Sequence, residues 1–515
     1  MSDKVQTQNR IYFLDGLRGW AAFFVMFHHI GMMLEPNLFF PLRSVNSQRF
    51  PEASWWRNAT PLWHFTMGHT CVLIFFILSG RSLLLAAISH NSIESIPASC
   101  VRRFPRIYIP VYASILFAAF FSRSGLVPDP KKVAQISMND WMMKRSVNAE
   151  LWVIPPHLRL IKRSYVDLWN NFLSSLITFI GPGSPYPEVA AGVLWTINTE
   201  MWGSLMTYGV GAILLTFRHR RMLFANFVLF YSIVFARNYG LFTIGLWFCF
   251  AAQEGYFKFQ RLWVSLSLQL FLVSFLCIGT MGPQGPGYSL TESIHRILIK
   301  SQMGGDWKMG TFKWPHVEMW LAAMVIILLV EVSPLLQRLL STKFSQWLGH
   351  ISFGLYLTHG TVCTTYMAHT YLRYNVSPWL AGSYLWFCLK HGLTAMTLAF
   401  FVASLFTEFV DQPSIKFARK FQLWLMEEPQ PVRQLIAGTM DPKFWASLPG
   451  RFVSTIITSF KRLPLDSITC LFSWRWWKNT TEEWSREVAT YWRQLRGDVK
   501  GRVMLEDKVK KEDSV

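Results

Sequence analysis

Long apolar stretches alternate with short polar ones along the chain up to about residue 420. Each apolar stretch has roughly 17–25 residues, which lets a helix cross about 30 Å of hydrocarbon. The pattern predicts ten spans, at about 13–34, 66–87, 106–122, 194–217, 222–238, 240–257, 262–280, 316–333, 347–368 and 384–407. The shorter stretch 168–180 is expected to lie in the interface or to re-enter the membrane. We therefore expect an all-α, polytopic transmembrane helical bundle.

The composition agrees with a membrane protein. Of the 515 residues, 51% are hydrophobic and only 16% are charged, whereas about 25% of the residues in typical soluble domains are charged. The seven cysteines are scattered without a C-x-x-C pair, which indicates small core residues rather than a disulfide framework or metal site. The first ten residues are polar, and no small-residue cleavage site follows the first span, so a removable signal peptide is not expected.

Basic residues outnumber acidic ones by 50 to 30, which gives a formal charge of +20. No zinc-ligand spacing or other nucleic-acid signature accompanies this charge, so we expect no nucleic acid partner. Anionic lipid headgroups or an anionic cosubstrate are the expected partners instead. Short basic loops such as 101–106 and 218–221 fall on one side of the predicted bundle, and the positive-inside rule places that side in the cytosol.

This orientation puts both termini in the cytosol and the long loops 35–65, 123–193 and 281–315 in the lumen. The endoplasmic reticulum is the expected membrane. The N-x-S/T sequons at Asn58 and Asn375 would then be lumenal and open to glycosylation, whereas Asn479 would be cytosolic.

The predicted organisation has three parts: a cytosolic N-terminus at 1–12, a membrane domain at 13–420 and a basic, Trp-rich cytosolic tail at 421–515. In the tail, one helical face would carry Trp484, Val488, Tyr491, Trp492 and Leu495. Such faces are typical of amphipathic helices that lie on a membrane. A helical pair packed against the cytosolic loops is the alternative.

Ionisable residues interrupt the first predicted span. At 100° per residue, Asp15, Arg18 and His29 share one helical face, and His28 lies about 80° away from Arg18. A charged side chain near the bilayer centre costs about 3 kcal/mol on insertion scales, so such a stripe normally faces the bundle interior or a water-filled cavity. Alternatively, Asp15 and Arg18 simply pair, and His29 is a structural core histidine.

Several distinctive motifs follow one another along the chain. The opening motif is "LDGLRGWAAFFVMFHH", with a histidine fourteen residues after the aspartate, at His29. The others are "FFILSGRSL" (75–83), "RRFPRIYIP" (102–110), "LWTINTEMWGSL" (194–205), "ISFGLYLTHG" (351–360) and "FTEFVDQPSIKFARK" (406–420). Together these motifs resemble those of the acyltransferase-3 family of integral membrane acyltransferases. The version at 195–204 is similar to the fungal branch of that family. One departure is that Pro110 stands one position later than the family pattern.

The resemblance implies transfer of an acyl group, usually acetyl from acetyl-CoA, to a hydroxyl, with no bound cofactor. CoA carries several phosphate charges, and Arg102, Arg103 and Arg106 have the fork-shaped guanidinium that binds phosphate. Asp15, Arg18 and Ser79, in the first and second motifs, are also assigned to substrate binding. The alternative for the arginines is ordinary positive-inside topology, and Arg81 either adds to this patch or snorkels.

Three residues are the catalytic candidates. His29 suits a general base, since an unperturbed histidine pKa near 6.5 lets it accept a proton at neutral pH. Glu200 is expected at a similar depth, where its carboxylate would orient the imidazole; the alternative is an interfacial acid. His359 either polarises the thioester carbonyl or binds a backbone carbonyl. No sequence motif argues for a metal, and we predict none.

The acceptor expected from these features is a small hydrophobic alcohol, such as a terpenoid or polyketide of secondary metabolism. A sterol, lipid or glycan hydroxyl is the alternative substrate. In this interpretation, the polar face of the first span is part of a tunnel for the acyl donor. Other functional classes remain open: an organic-anion transporter, or an inactive scaffold on the same fold.

Overall fold

All regular elements in the described part of the chain are helical. The structure is a computed structural model that describes residues 11–34, 68–124, 126, 194–217, 220–235, 237–258, 262–279, 317–374 and 384–426. The α-helices in these ranges are α1 (Tyr12–Leu34), α2 (Gly68–Leu83), α3 (Leu85–Ser89), α4 (Ser95–Arg123), α5 (Trp195–Thr216), α6 (Arg221–Phe235), α7 (Arg237–Gln253), α8 (Leu262–Gly279), α9 (Val317–Val332), α10 (Pro334–Leu340), α11 (Lys343–Tyr374), α12 (Tyr384–Phe406) and α13 (Gln412–Met426). A π-helical turn, Thr407–Asp411, joins α12 to α13.

Each of the ten predicted apolar stretches coincides with a helix, and most boundaries agree within a few residues. The largest difference is α4, which begins at Ser95 rather than near 106 and contains Pro105 and Pro110. A proline inside a helix removes one hydrogen bond and usually bends or ends the helix. Here α4 continues past both prolines. Helix α13 packs along it, and Arg102 donates to Gln422 of α13 at 2.8 Å.

Proline does end a helix between α9 and α10, whose axes meet at 97°. Ser333 caps α10 by accepting a hydrogen bond from the Leu336 amide at 3.4 Å. The side-chain amide of Gln337 donates to the carbonyls of Val330 and Glu331, at 3.0 and 2.9 Å. The last turn of α9 is therefore satisfied from the following helix.

Helices α1, α2 and α11 form the centre of the bundle. Helix α1 packs closely against both α11 and α2, while α2 also packs against α7 and α11 against α12. A Cβ atom on Gly19 would lie 2.3 Å from the amide nitrogen of Gly349, so α1 and α11 meet backbone to backbone. Trp20 of α1 also donates to Ser345 of α11 at 3.0 Å. The glycines of the opening motif thus serve close helix packing.

Large apolar side chains cover much of the outside of the described bundle. On α6 these include Phe227 and Phe230, on α8 Leu270 and Phe271, and on α12 Trp386, all of which are exposed. Judged by length and composition alone, one described helical stretch, Trp386–Met426, could cross a membrane, and the bent pair α9–α10 would add a second. The helices Gly68–Leu83, Tyr239–Gln253 and Ser265–Ser274 are apolar but shorter.

Some predicted features lie outside the described residues. They are the sequons at Asn58, Asn375 and Asn479, the stretch 168–180 and the amphipathic helices of the tail. The last described helix, α13, continues past the predicted domain boundary at residue 420 and ends at Met426.

Candidate functional site

Two histidines from distant parts of the sequence meet inside the bundle. Nδ1 of His29 on α1 lies 2.8 Å from Nε2 of His359 on α11, and the two rings stack with centroids 5.0 Å apart. His359 is fully buried and His29 is half-buried. The pair forms because α1 and α11 run in the same direction, from the Gly19–Gly349 contact to this level.

His28 has different surroundings. Its ring lies against the backbone of Gly68, where an added Cβ would come within 2.8 Å of Cδ2, and His28 is only 2% exposed. The ring of His69 is its edge-on neighbour at 6.1 Å. The ring centroids of His28 and His29 are 5.6 Å apart, but His29 is the one of the two that contacts His359.

Asp15 and Arg18 pair with each other at the start of α1. The Arg18 guanidinium donates to the Asp15 carboxylate at 3.4 Å and to the Ser82 hydroxyl at 3.3 Å. His29 lies eleven residues farther along, or about 16 Å at 1.5 Å per residue. The predicted pairing of Asp15 with Arg18 is thus present, and it is well separated from the histidine pair.

Glu200 does not lie at the depth predicted for it. It accepts hydrogen bonds from the Ser79 hydroxyl, at 2.6 Å, and from the Arg103 guanidinium. Ser79 is eleven residues along α2 from Gly68, about 16 Å from the level of His28. Glu200 is therefore too far from His29 to orient its imidazole, and that prediction is wrong.

The cause of this difference is the position at which α5 begins. Thr196, in the first turn of α5, hydrogen-bonds to the Tyr356 hydroxyl at 2.7 Å. Tyr356 precedes His359 by one turn of α11, and their ring centroids are 6.2 Å apart. Since α5 starts inside the bundle beside the histidines, Glu200 falls more than a turn below them. Sequence reasoning had placed this helix start at the lumenal edge and had missed Tyr356.

The three arginines of the basic motif have different partners. Arg102 donates to Gln422 and to the Ser99 hydroxyl, at 2.8 and 3.0 Å. Arg103 donates to Glu200 and to the Ser204 hydroxyl, the latter at 3.1 Å. These two arginines thus tie α4 to α13 and to α5.

Arg106 is different, because its side chain is exposed although charged groups from several helices surround it. These groups are Arg18 on α1, Arg103 on α4 and Asp411 in the π-helical turn. Within the described ranges, its guanidinium makes no side-chain hydrogen bond. The positive side chains of Arg18, Arg103 and Arg106 therefore form an arginine cluster, in which Arg106 still has N–H donors for a ligand.

Asp411 is a residue that the sequence analysis did not assign to the site. It is 6% exposed, and the π-helical turn at Thr407–Asp411 places it near Arg106. The sequence signal that could have identified it is an acid two positions before Pro413 in the last motif. The structure adds that this acid ends a π-helical turn, and such turns often occur at functional sites. Asp411 is thus the acidic neighbour of the exposed arginine.

Arg81 belongs neither to this cluster nor to the membrane interface. It is 3% exposed and donates from Nε to Glu331 of α9 at 2.8 Å. Both predicted alternatives for Arg81, a phosphate contact and a snorkelling side chain, are therefore wrong. The buried ion pair connects α2 to α9.

Comparison with known sequences gives the family. The sequence model of acyltransferase 3, described as an acyltransferase domain, matches residues 11–409. The chain belongs to this acyltransferase-3 family. The match covers every motif that carries the histidine pair and the arginine cluster.

A relative of this acyltransferase is an O-acetyltransferase of Phomopsis amygdali, PaAT-1. It is 24% identical over 471 residues, which cover 81% of this chain and 86% of the relative. No solved structure gives a significant match. The family and the relative together support an O-acyltransferase, in a family that is associated with membranes.

Within the described residues of the acyltransferase, no group of three or more His, Cys, Asp or Glu side chains is placed to hold a metal ion. The expectation that no metal takes part in the reaction stays a prediction.

Proposed function

We propose that this acyltransferase transfers acetyl from acetyl-CoA to the hydroxyl of a small hydrophobic metabolite. The observation that carries the proposal is the position of two sites that share one helix, α1. Arg18 and the His29–His359 pair lie about 16 Å apart along α1. An acyl-CoA has its phosphates and its acyl group at opposite ends, so it suits such an arrangement.

The arginine cluster supports an anionic donor. The positive charges of Arg18 and Arg103 both repel the positive charge of Arg106. A polyphosphate that bound there would relieve the repulsion and accept charge-assisted hydrogen bonds from the exposed guanidinium. The assignment differs from the sequence prediction in one respect: Arg106 is the direct phosphate ligand, while Arg102 and Arg103 hold the helices that form the site.

The proposed reaction uses the histidine pair. His29 takes the proton of the acceptor hydroxyl while the oxygen attacks the carbonyl carbon of the thioester. The C–S bond then breaks, the ester C–O bond remains, and the sulfur receives the proton from His29. The products are the acetyl ester and CoA with a free thiol, so atoms and charge balance without another reactant.

The proposed setting is a multi-pass bundle of ten spans in the endoplasmic reticulum, with both termini in the cytosol. Its support is the coincidence of ten helices with ten apolar stretches, together with the exposed Phe227, Phe230, Leu270 and Phe271. Exposed apolar area of this extent is costly in water and is favourable in lipid. A hydrophobic acceptor would reach the histidines from the bilayer.

The proposed acceptor class is a terpenoid or polyketide alcohol of secondary metabolism. Its support is the membrane setting and the relative, whose name states O-acetyl transfer. A sterol, lipid or glycan hydroxyl remains the alternative acceptor. An organic-anion transporter or an inactive scaffold would use the same helices without turnover.

The test is acetyl-CoA turnover by the purified full chain in lipid nanodiscs. Thiol release is measured with a panel of hydrophobic alcohols, and the acetyl ester is identified by mass spectrometry. Acceptor-dependent release of one thiol per ester supports the proposal. Ester formation only with a glycan or phospholipid would change the acceptor class, and anion uptake into vesicles without any turnover would favour the transporter.

A further inference from the structure

We infer that His359 is a positioning residue, which fixes the tautomer of His29 so that Nε2 of His29 is the basic atom. The inference rests on the proposed function, since it specifies how the same histidine pair accepts the hydroxyl proton. It differs from the sequence expectation that His359 polarises the thioester carbonyl. The basis is a chain of three groups: the Leu355 carbonyl, His359 and His29.

The first step concerns the proton on His359. Its Nδ1 lies 2.8 Å from the backbone carbonyl oxygen of Leu355, one turn earlier on α11. A carbonyl oxygen can only accept a hydrogen bond, so Nδ1 of His359 carries the hydrogen. In a neutral imidazole, the other nitrogen is then an acceptor, and Nε2 of His359 presents a lone pair.

The second step follows at the contact between the rings. Nε2 of His359 lies 2.8 Å from Nδ1 of His29. Since Nε2 of His359 is the acceptor, Nδ1 of His29 is the donor and carries the hydrogen. In neutral His29 the unprotonated nitrogen is therefore Nε2, which is the atom able to take a proton from a hydroxyl.

The burial of the pair agrees with neutral rings. His359 is 0% exposed, and a positive charge on its ring would be costly at so buried a position. The neighbouring titratable groups from α1 and α2 are His28 and His69, at ring distances of 5.6 Å from His29 to His28 and 6.1 Å from His28 to His69. Among the residues that the structure describes, these neighbours are further imidazoles rather than a carboxylate, so we assign to His359 the role that a carboxylate plays in a catalytic triad.

The geometry also assigns a function during turnover. When Nε2 of His29 accepts the proton, its Nδ1–H still donates to His359, whose own Nδ1–H donates to Leu355. The carbonyl dipole at the end of this chain favours the positive charge that appears on the rings. His359 thus holds His29 in one orientation before the transfer and supports its charge afterwards.

The test combines a spectroscopic measurement with two substitutions. In protein labelled with 15N-histidine, the shifts of protonated and unprotonated ring nitrogens differ, and the His29 signals are identified by their loss in His29→Ala. We expect His29 in the wild-type chain to carry its hydrogen on Nδ1, whether or not turnover is observed. A hydrogen on Nε2 of His29 would overturn the inference, and this result does not depend on the proposed reaction.

The substitutions are His359→Gln, whose amide oxygen can still accept from His29, and His359→Leu, which removes the acceptor. We expect His359→Gln to keep kcat within about tenfold of wild type, and His359→Leu to lose about 10²-fold or more, the scale of general base catalysis. The KM for acetyl-CoA should stay unchanged in both variants.

Two kinetic results would contradict the inference. One is equal losses of kcat in His359→Gln and His359→Leu, which would mean that His359 itself transfers a proton. The other is wild-type kcat in His359→Leu, which would mean that His29 needs no partner. If His359→Leu fails to fold, the His359→Gln rate and the wild-type spectrum together still decide between these roles.

Discussion

At the scale of single residues, the proposed chemistry of this acyltransferase depends on the orientation of individual histidine rings and arginine guanidinium groups. His28 and His29 are adjacent in sequence, yet one packs against Gly68 and the other contacts His359. Arg102, Arg103 and Arg106 also differ, since two of them are tied to neighbouring helices and the third is exposed. Each contrast allows a variant at the proposed functional residue to be compared with the same substitution at its neighbour.

The histidine pair gives the first prediction. His29→Ala should lower kcat by about 10²–10⁴-fold, because it removes the general base. His28→Ala should cost far less, since His29 rather than His28 contacts His359. The activity of the wild-type chain should also fall toward acid pH, because a protonated imidazole cannot accept the hydroxyl proton. Steady-state kinetics in nanodiscs measures the kcat of both variants and the pH dependence of the wild type. Loss of turnover in His28→Ala but not in His29→Ala would contradict the assignment of His29 as the general base.

The arginines give the second prediction. Arg106→Lys should raise the KM for acetyl-CoA about tenfold, which corresponds to about 1.4 kcal/mol of lost binding. Lysine keeps the charge but loses the fork that binds phosphate through two hydrogen bonds.

Arg102→Lys is the matched control for Arg106→Lys. Its native partners are Gln422 and Ser99, so we expect its KM to change less than threefold while the thermal stability of the chain decreases. Equal increases in KM for both variants would contradict the distinction between Arg106 and Arg102. An unchanged KM for Arg106→Lys would leave Arg106 with only a topological role.

At the scale of helices, the site depends on the close approach of α1 and α11. An added Cβ on Gly19 would meet the Gly349 backbone at 2.3 Å, so the helices would have to separate. The same contact sets the spacing that brings His29 to His359. The helix packing and the proposed chemistry therefore depend on the same pair of helices, α1 and α11.

The third prediction concerns this contact. Gly19→Ala should lower the free energy of unfolding by about 1–3 kcal/mol, the usual cost of overpacking, and should also lower kcat. Gly209→Ala is the control, because an added Cβ there would meet no atom within 4 Å. Since alanine favours a helix over glycine by about 0.5–1 kcal/mol, the control should be as stable as wild type or more so. Thermal unfolding in detergent measures both, and equal stability of the two variants would contradict the packing argument.

At the scale of the whole molecule, the orientation in the membrane decides which compartment each end of the site faces. The proposed arrangement puts the arginine cluster near the cytosol, where acyl-CoA would enter, and the histidines farther into the bilayer. Glycosylation reports this orientation directly, because glycans are added only on the lumenal side.

The fourth prediction is that Asn58 and Asn375 acquire glycans and Asn479 does not. The full chain is made in the presence of microsomes, and gel shifts are compared before and after endoglycosidase treatment. Replacing each asparagine by Gln, one at a time, assigns the shifts to their sites. A glycan on Asn479 would reverse the proposed orientation and with it the side from which acyl-CoA enters.

The sequence by itself determined the helices and the family. The length of an apolar stretch can be seen in the local sequence, and the ten predicted stretches coincide with helices. The ordered motifs from 11 to 420 were sufficient to suggest the acyltransferase-3 family, which the comparison gives. Helical periodicity also separated His28 from His29, since that depends only on the 100° step between residues.

Only the tertiary structure decided which side chains meet. His29 and His359 are 330 positions apart, and Arg103 and Glu200 are 97 apart, so no local pattern could pair them. The depth of Glu200 was mispredicted because α5 begins inside the bundle beside Tyr356. Arg81 was misassigned because its partner, Glu331, lies on a helix 250 residues later. The partner of a buried charge is chosen by distance across the packed helices, and that distance exists only once the chain has folded.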